Sequence, residues 1–356
     1  MKKWLLHIIY LGVLALITSC NSNLDEDTLI PSDNAEKLSV TFTLAMDGTS
    51  PYGSRAVESE EVGNSDENYI DVSGLQVIAY SIDGNNTYLG EVKNITAERD
   101  WDSESGHIYE FRGDMDYAND RTLNCKFMVY ANCGTKVTET TGLSNLSYSY
   151  SPSDFLFPNA NKGIPMWGVL QVTDIKLTPN SRTDLGTIYL LRAMAKVEVA
   201  LDDAMVGKFK LVNAAFNMYN QSGYCLPNEY ATASGTKEID IKGYFNANAG
   251  NKGTNLAFTK YSDNHFIAYI PEYDNSTSEL EIPVTITDAN GNTVERLKDV
   301  TVKFQNYTDK TPFDAIRNHY YKYNITIKED PSGNIKTDIL TEVMKWGYVD
   351  VESDYE

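Results

Sequence analysis

The sequence predicts an all-β protein made of two tandem β-sandwich domains. Short apolar runs recur along the chain, and several alternate with polar residues in the period of two that marks a half-buried strand. Clusters of Gly, Asn and Asp separate the runs, and such clusters are typical of hairpin turns. Helical signals are short, as at residues 314–317. Many short strands joined by turns favour two stacked sandwiches.

The composition fits a folded, acidic protein of about two domains. Of the 356 residues, 42% are hydrophobic, which is enough to form cores. The chain has 30 basic and 50 acidic residues and a formal net charge of −20. This charge argues against nucleic acid as a partner, because binding to phosphates depends on a basic surface. It also disfavours adsorption to an anionic lipid surface.

The N-terminal residues predict an exported lipoprotein. Two lysines precede an apolar stretch at residues 4–17, which is too short for a membrane-spanning helix and suits a signal peptide. The stretch ends in a segment that resembles a bacterial lipobox, so signal peptidase would cut before Cys20 and its thiol would carry lipid. An ordinary secretory signal that ends near a cysteine is the alternative. The acidic residues 25–27 resemble a surface-export signal of Bacteroidales lipoproteins.

The first strand of the mature chain is predicted at residues 38–44. Apolar residues alternate strictly with Ser and Thr there, which predicts one buried face. The apolar positions are Leu38, Val40, Phe42 and Leu44. A Gly/Ser/Pro-rich loop follows at residues 47–55, and an acidic polar run extends to residue 68. A long exposed loop of this kind is accessible to proteases.

Strand-like runs recur through the rest of the chain, and a boundary near residues 190–193 divides it into comparable halves. The runs lie at residues 74–82, 125–131, 168–172, 187–191, 196–201, 209–218, 266–270, 282–287, 300–304 and 320–327. A last run covers residues 339–351. Its apolar residues after position 342 are Val343, Met344, Trp346, Tyr348, Val349 and Val351. Gly347 could form a bulge in this run.

The sequence predicts no catalytic, cofactor or metal site, and therefore no enzyme. The histidines beyond the signal peptide, at positions 107, 265 and 319, form no pair at ligand spacing. Motifs for nucleophilic serine, phosphate binding and zinc hydrolysis are absent from the sequence. Residues 288–292 superficially resemble a Ca²⁺ loop, but a hairpin turn explains them better. An acid–base pair among the fifty carboxylates stays open without being identified.

Three other features are explained more simply by structure than by binding. Cys125, Cys133 and Cys225 are expected to be buried thiols, not a disulfide framework. The 24 tyrosines fit cross-strand packing in sheets, with a glycan-stacking surface as the alternative. Residues 112–114 spell an integrin-type Arg-Gly-Asp tripeptide, which we attribute to chance unless it lies at an exposed loop tip.

Four stretches together resemble the fimbrillins of Bacteroidales type V pili. They lie at residues 127–134, 164–168, 190–199 and 316–321, and residues 269–272 agree as well. Each stretch alone is weak evidence of a resemblance. Their order and spacing extend the resemblance over nearly the whole mature chain. The resemblance implies two tandem transthyretin-like, Greek-key β-sandwich domains with a C-terminal donor-type strand. It also implies a structural protein with no cofactor.

The resemblance further implies a mechanism of polymerisation. An Arg-specific protease would cut the loop after the first strand, and loss of that strand would open an apolar groove. The C-terminal segment of a neighbouring subunit would then fill the groove by donor-strand exchange. Arg55 is the first arginine of the chain and lies in the predicted loop, so cleavage would leave Ala56 as the new N-terminus. An uncut arginine in an ordinary loop is the alternative.

This scheme divides the chain into five segments. Residues 1–20 are the lipoprotein signal peptide with its lipobox cysteine, and 21–55 are a propeptide with the removable strand. Residues 56–190 and 191–335 are the two sandwiches, and 336–356 are the donor segment. The removable strand contributes Leu38, Val40, Phe42 and Leu44, and the donor strand contributes Val343, Met344, Trp346, Tyr348, Val349 and Val351.

The expected partners follow from the same resemblance. They are other fimbrial subunits in a homopolymer, the outer membrane through the lipid before cleavage, the Arg-specific protease, and a receptor on a host or bacterial surface. The polymer would support adhesion and biofilm formation at the cell surface. One alternative is an anchor subunit, which keeps its lipid and first strand, or a tip subunit, which replaces the tail with a binding module. Another is a monomeric glycan-binding surface lipoprotein.

Overall fold

A computed structural model describes most of the chain between residues 38 and 346. The described residues are 38–46, 60–61, 63–64, 66–82, 85–103, 106–115, 122–134, 136–139, 147–155, 162–227, 231–232, 239–240, 251–329, 331–332 and 335–346. They form strands and short 3-10 helices without any α-helix, which confirms the predicted all-β class. The predicted helical turn at residues 314–317 is wrong, because that segment is irregular and leads into a strand.

The strands and 3-10 helices of the described residues are numbered or named in chain order. The strands are β1 (Leu38–Met46), β2 (Glu60–Glu61), β3 (Gln76–Tyr80), β4 (Tyr88–Ser103), β5 (Gly106–Met115), β6 (Thr122–Ala131), β7 (Ser147–Ser149), β8 (Met166–Lys176), β9 (Arg182–Arg192), β10 (Met194–Leu201), β11 (Phe209–Asn220), β12 (Ser222–Tyr224), β13 (Ala231–Thr232), β14 (Ile239–Asp240), β15 (Lys252–Ala257), β16 (Thr259–Ser262), β17 (His265–Pro271), β18 (Glu281–Asp288), β19 (Thr301–Lys303), β20 (His319–Glu329) and β21 (Ile335–Trp346). The 3-10 helices are Val72–Gly74, Pro152–Phe155, Asp203–Met205 and Glu295–Leu297.

The N-terminal half forms a closed sheet of seven strands. Its order is β1-β5-β4-β3-β6-β8-β9, and β1 completes the ring by pairing with both β5 and β9. Closure removes the unpaired edges that an open sheet would leave. The sequence predicted a sandwich for this half. The structure has a closed sheet instead, because β1 also pairs in parallel with β9.

The C-terminal half contains two open sheets that pack through aromatic side chains. A six-stranded sheet has the order β16-β17-β10-β20-β21-β2, and a four-stranded sheet has the order β15-β11-β18-β19. Phe304, directly after β19, has its ring centroid 6.1 Å from that of Phe216 on β11 and 4.6 Å from that of Tyr321 on β20. This arrangement is consistent with a sandwich. Two small two-stranded sheets, β7 with β12 and β13 with β14, complete the described fold.

The chain crosses from the closed sheet to the six-stranded sheet at a single residue. β9 ends at Arg192, β10 begins at Met194, and the N–H of Ala193 donates to the carbonyl of Pro165 over 2.7 Å. All eight residues of β10 are buried, including Lys196 and Glu198. A division of the chain into domains at residue 190 stays a prediction. Within the described residues, no helix is long and apolar enough to cross a membrane.

Candidate functional site

The first strand, β1, is hydrogen-bonded along both edges inside the closed sheet. It runs antiparallel to β5, so that Leu38 faces Met115 and Leu44 faces Tyr109. It runs parallel to β9, with a register shift between Thr41 and Thr43. Because both edges are paired, loss of β1 would leave backbone donors and acceptors of β5 and β9 without partners.

The side chains of β1 belong to the hydrophobic core. The apolar positions predicted for the removable strand are all buried, together with Met46 at the end of the strand; they are Leu38, Val40, Phe42 and Leu44. The ring of Phe42 stacks on Phe111 of β5 with centroids 5.6 Å apart. An apolar side chain of this size contributes about 1.5–3 kcal/mol when it is fully buried. The strand therefore fills a groove that would be apolar without it.

The Arg-Gly-Asp tripeptide lies inside β5 and not at a loop tip. All three residues, Arg112, Gly113 and Asp114, pair with β1 on one side, and Arg112 and Asp114 pair with β4 on the other. The Asp114 carboxylate accepts a hydrogen bond from Ser39 Oγ over 3.2 Å and another from Asn94 Nδ2 over 2.9 Å. The condition that we set for a receptor-binding role is therefore not met.

The C-terminal strand, β21, pairs with the body of the protein along one edge. It runs antiparallel to β20, from Ile335 opposite Glu329 to Lys345 opposite His319. On its other edge, the described residues provide only β2, which pairs in parallel with Lys345 and Trp346. Burial rises along the strand, since Leu340 is 59% exposed and Trp346 is 0% exposed. The strand is therefore held most firmly at its C-terminal end.

Trp346 lies in a buried group of charged and aromatic residues that we call the junction cluster: Glu67, Arg192, Lys196, Tyr269 and Trp346. The Arg192 guanidinium carbon lies 4.5 Å from the centroid of the Trp346 ring, and Arg192 Nη1 donates to the Trp346 carbonyl. The Tyr269 and Trp346 ring centroids are 5.6 Å apart. The Trp346 N–H donates to the Asn318 carbonyl over 3.1 Å. Both the backbone and the ring of Trp346 are therefore fixed.

Glu67 provides the negative charge of the junction cluster. Its Oε1 lies 3.0 Å from Lys196 Nζ and accepts a hydrogen bond from the Tyr269 hydroxyl. Its Oε2 accepts from the Asn64 N–H over 2.8 Å. Burial alone would raise the pKa of the Glu67 carboxyl, but Lys196, Tyr269 and the Asn64 N–H together hold this pKa below its ordinary value. The Glu67 side chain is therefore a carboxylate at neutral pH.

A second buried ion pair joins Arg317 to Glu272 over 2.7 Å. The Arg317 guanidinium also donates to the carbonyls of Tyr224, Cys225 and Leu226, which fixes the loop after β12.

The three cysteines of the described residues, at positions 125, 133 and 225, are buried free thiols, as expected from the sequence. Burial raises the pKa of Cys125 to about 12, which keeps that thiol protonated.

His265, His319 and the acidic turn at residues 288–292 all have structural partners. His265 Nδ1 lies 2.9 Å from Glu198 Oε1, and the buried His319 Nδ1 donates to the Arg317 carbonyl over 2.8 Å. The Asp288 carboxylate accepts from the N–H groups of Asn290 and Asn292 over 2.8 Å each, which is turn geometry. Among the described residues, no group of three His, Cys, Asp or Glu side chains is placed to hold a metal ion.

The structure describes part of the predicted site. The removable strand and Val343, Met344 and Trp346 are buried residues of β1 and β21, in different sheets. Other predicted site residues lie outside the described residues: Cys20, Arg55, Ala56, Tyr348, Val349 and Val351. The sequence reasoning missed the junction cluster. The signal that could have found it is the pair of cations, Arg192 and Lys196, inside an apolar stretch.

Comparisons with known proteins identify a family. A family model described as fimbrillin-A associated anchor proteins Mfa1 and Mfa2 matches residues 30–352. No curated protein matches the chain. A crystal structure of a proposed cell adhesion protein from Parabacteroides distasonis is 14% identical, with a TM-score of 0.50, and the match covers 88% of this chain and 99% of that one. A second, from Bacteroides eggerthii, is 14% identical with a TM-score of 0.43, covering 88% and 98%.

The first of these structures shares the fold over almost its whole length, and the family model covers more than half of the present chain. The protein therefore belongs to the family of fimbrillin-A associated anchor proteins Mfa1 and Mfa2.

Proposed function

We propose that the protein is a structural subunit of a cell-surface fimbria that is exported as a lipoprotein and polymerises by donor-strand exchange after proteolysis. Membership of the family supports a fimbrial role. The position of β1 carries the finer proposal. This strand is paired on both edges, contributes core residues, and directly precedes the segment with Arg55, for which the sequence predicts a loop.

The energetics of β1 favour exchange over simple loss. Five large buried apolar side chains of β1 would leave the groove with the strand: Leu38, Val40, Phe42, Leu44 and Met46. At about 1.5–3 kcal/mol each, they contribute on the order of 10 kcal/mol. This is comparable with the whole stability of a typical domain, about 5–15 kcal/mol. A subunit without β1 would therefore be unstable until another strand occupies the groove.

The C-terminal segment, residues 336–356, would supply that strand. Val343, Met344 and Trp346 end β21, and apolar residues continue beyond it in the sequence. In the free subunit β21 pairs with β20. In the fimbria, the segment of one subunit would pair with β5 and β9 of the next, which is a form of β-strand addition.

The lipid would hold the precursor until it is cut. Acyl chains on Cys20 would attach the precursor to the outer membrane. An Arg-specific protease that cuts after Arg55 would separate the lipid and β1 from the rest of the chain and leave Ala56 as the N-terminus.

Controlled proteolysis tests this proposal. The purified chain from residue 21 is treated with an Arg-specific protease, and the products are analysed by N-terminal sequencing and electron microscopy. The proposal predicts Ala56 at the new N-terminus followed by filaments. An Arg55→Gln variant should keep β1 and stay unassembled under the same treatment. A subunit that is cut quantitatively at Arg55 but remains monomeric would count against the proposal.

An anchor subunit is the second candidate, and the description of the family as anchor proteins favours it. An anchor would keep the lipid on Cys20 and keep β1 in place, so Arg55 would remain uncut. Mass spectrometry of the protein taken from the cell surface separates the candidates. A lipidated N-terminal Cys20 indicates an anchor, and Ala56 indicates a polymerising subunit.

A further inference from the structure

We propose that the junction cluster is a clasp that holds the C-terminal strand in its own subunit until assembly. The inference rests on the proposed donor role of that strand. It assigns to Glu67, Arg192 and Lys196 the task of retaining Trp346, and to residues 60–61, 63–64 and 66–68 the task of covering it.

The contacts of β21 are concentrated at Trp346. Upstream, Leu340 is exposed, and Asp338 forms ion pairs at the surface with Lys328 and Lys336. Surface pairs of this kind contribute little to stability, because water and salt screen them. Trp346, by contrast, is buried, with its carbonyl and backbone N–H hydrogen-bonded and its ring in contact with Tyr269. Release of this one residue would therefore leave the strand with its β20 pairing and the core contacts of Val343 and Met344.

The segment that follows the predicted cleavage loop covers Trp346 directly. Its strand β2 pairs with Lys345 and Trp346. Gly63 has a φ of +78°, and a Cβ built on it would lie 3.0 Å from each of Trp346 Nε1, Arg192 Nη2 and Glu67 Oε2. Only glycine allows the backbone to approach so closely in this conformation. The cover begins four residues after Ala56 in the sequence.

The charges explain why Trp346 and the cover depend on each other. The cluster buries Arg192 and Lys196 beside the Glu67 carboxylate. The Arg192 guanidinium donates to the side-chain oxygens of Asn68 and Asn318, and Trp346 adds its carbonyl and its ring. If Trp346 leaves, Arg192 loses one carbonyl acceptor and the aromatic ring beside its guanidinium. If the Glu67 charge is removed, Lys196 loses the ion pair that holds its ammonium group 3.0 Å from Glu67 Oε1 inside the protein, which is strongly unfavourable. Trp346 and the buried charges around it therefore stabilise one another.

The clasp and the β1 groove would compete for the same strand. A tight clasp keeps the tail of a free subunit unavailable, and a weakened clasp increases the fraction of subunits with a free tail. The clasp is a set of contacts within the uncut subunit, so its strength can be measured without any assembly.

Hydrogen exchange in a Glu67→Gln variant of the uncut protein tests the proposal. Amides of residues 335–346 should exchange at least tenfold faster than in the wild type, while amides of β5 and β9 keep their rates. Glu272→Gln is the matched control, because it removes an equally buried carboxylate from Arg317. It should lower the stability without selective exchange in β21. Tyr269→Phe, which removes only the hydroxyl that donates to Glu67, is a milder second variant and should act on the same amides.

The outcomes distinguish the clasp from the proposed function. Equal acceleration in all strands, or unchanged exchange in β21 for both Glu67→Gln and Tyr269→Phe, would overturn the clasp. Selective exchange in β21 supports it whether or not filaments form. A different result would contradict the proposed function alone. In that case, neither the wild type nor the variants would assemble after complete cleavage at Arg55, although exchange in β21 is selectively faster in the variants.

Discussion

The ring of Phe42 on β1 stacks on the ring of Phe111 on β5, with centroids 5.6 Å apart and planes 20° from parallel. Both side chains are fully buried. This contact joins the strand that we propose to be removable to a strand that stays in the subunit. The same contact makes β1 part of the core of the precursor. Once β1 has been removed, the site that it occupied would be an apolar groove.

Phe42→Ala should destabilise the precursor strongly. A phenylalanine truncated in a core costs about 3–5 kcal/mol, because it removes apolar burial and leaves a cavity. Thr43→Ala is the control on the same strand, and its partly exposed side chain should matter by less than about 1 kcal/mol. Urea denaturation measures both. Equal losses for the two variants would mean that β1 does not pack as described.

Gly168→Ala should prevent close pairing of β8 with β9. A Cβ at this position would lie 2.4 Å from the backbone carbonyl oxygen of Tyr189, which cannot move without shifting β9. We expect a loss of about 1–3 kcal/mol in the free energy of unfolding. Gly74→Ala is the matched control, because its Cβ would meet only Asp71 Oδ2 at 3.8 Å. Thermal unfolding should show a clear decrease for the first variant and almost none for the second.

His319 should make the stability depend on pH. Burial lowers the pKa of His319 from its ordinary value of 6.5, although the hydrogen bond to the Arg317 carbonyl acts in the opposite direction. The unfolded chain therefore binds a proton near pH 6.5, whereas the folded chain does so only at lower pH. Stability is fully present above pH 6.5 and falls as the pH decreases towards the folded-state pKa.

A His319→Gln variant checks this effect. Its free energy of unfolding, measured with urea at several pH values below 7, should change less with pH than that of the wild type. Parallel curves for the two proteins would show that His319 is not the responsible group.

A chain that ends after Trp346 should fold but fail to polymerise. This truncation removes Tyr348, Val349 and Val351 and keeps every described residue. The precursor should therefore keep its thermal stability, while the cut subunit lacks part of its donor. Light scattering after cleavage at Arg55 measures the difference. Filaments that grow at the wild-type rate would show that these three residues are not part of the donor strand.

The strand at residues 38–44 was predictable because its alternation is strict and one face is buried, and β1 confirms it. The long hairpin of β4 and β5 was not predicted. Charged residues interrupt β4, and its pairing with β5 shifts register between Lys93 and Thr96 and again between Ala97 and Arg99. Such shifts interrupt the period of two that the prediction depends on.

The polar positions of β10 show a second limit of sequence reasoning. Lys196 and Glu198 alternate with apolar residues, which predicts a strand with one buried face. Both are buried, because Glu67 pairs with Lys196 and Tyr320 donates to Glu198 from distant parts of the chain. Local alternation cannot identify partners so far away in sequence. For the same reason, the parallel pairing of β1 with β9 and the closed sheet were not predicted.

Cross-linking between subunits in the filament tests the central claim most directly. A photoreactive phenylalanine analogue replaces Tyr348, and labelled and unlabelled subunits are cut, mixed, assembled and irradiated. The account predicts that mass spectrometry finds cross-links from the tail of one subunit to β5 or β9 of another, in filaments that have lost residues 21–55. Cross-links only within one subunit, or filaments that retain β1, would contradict it.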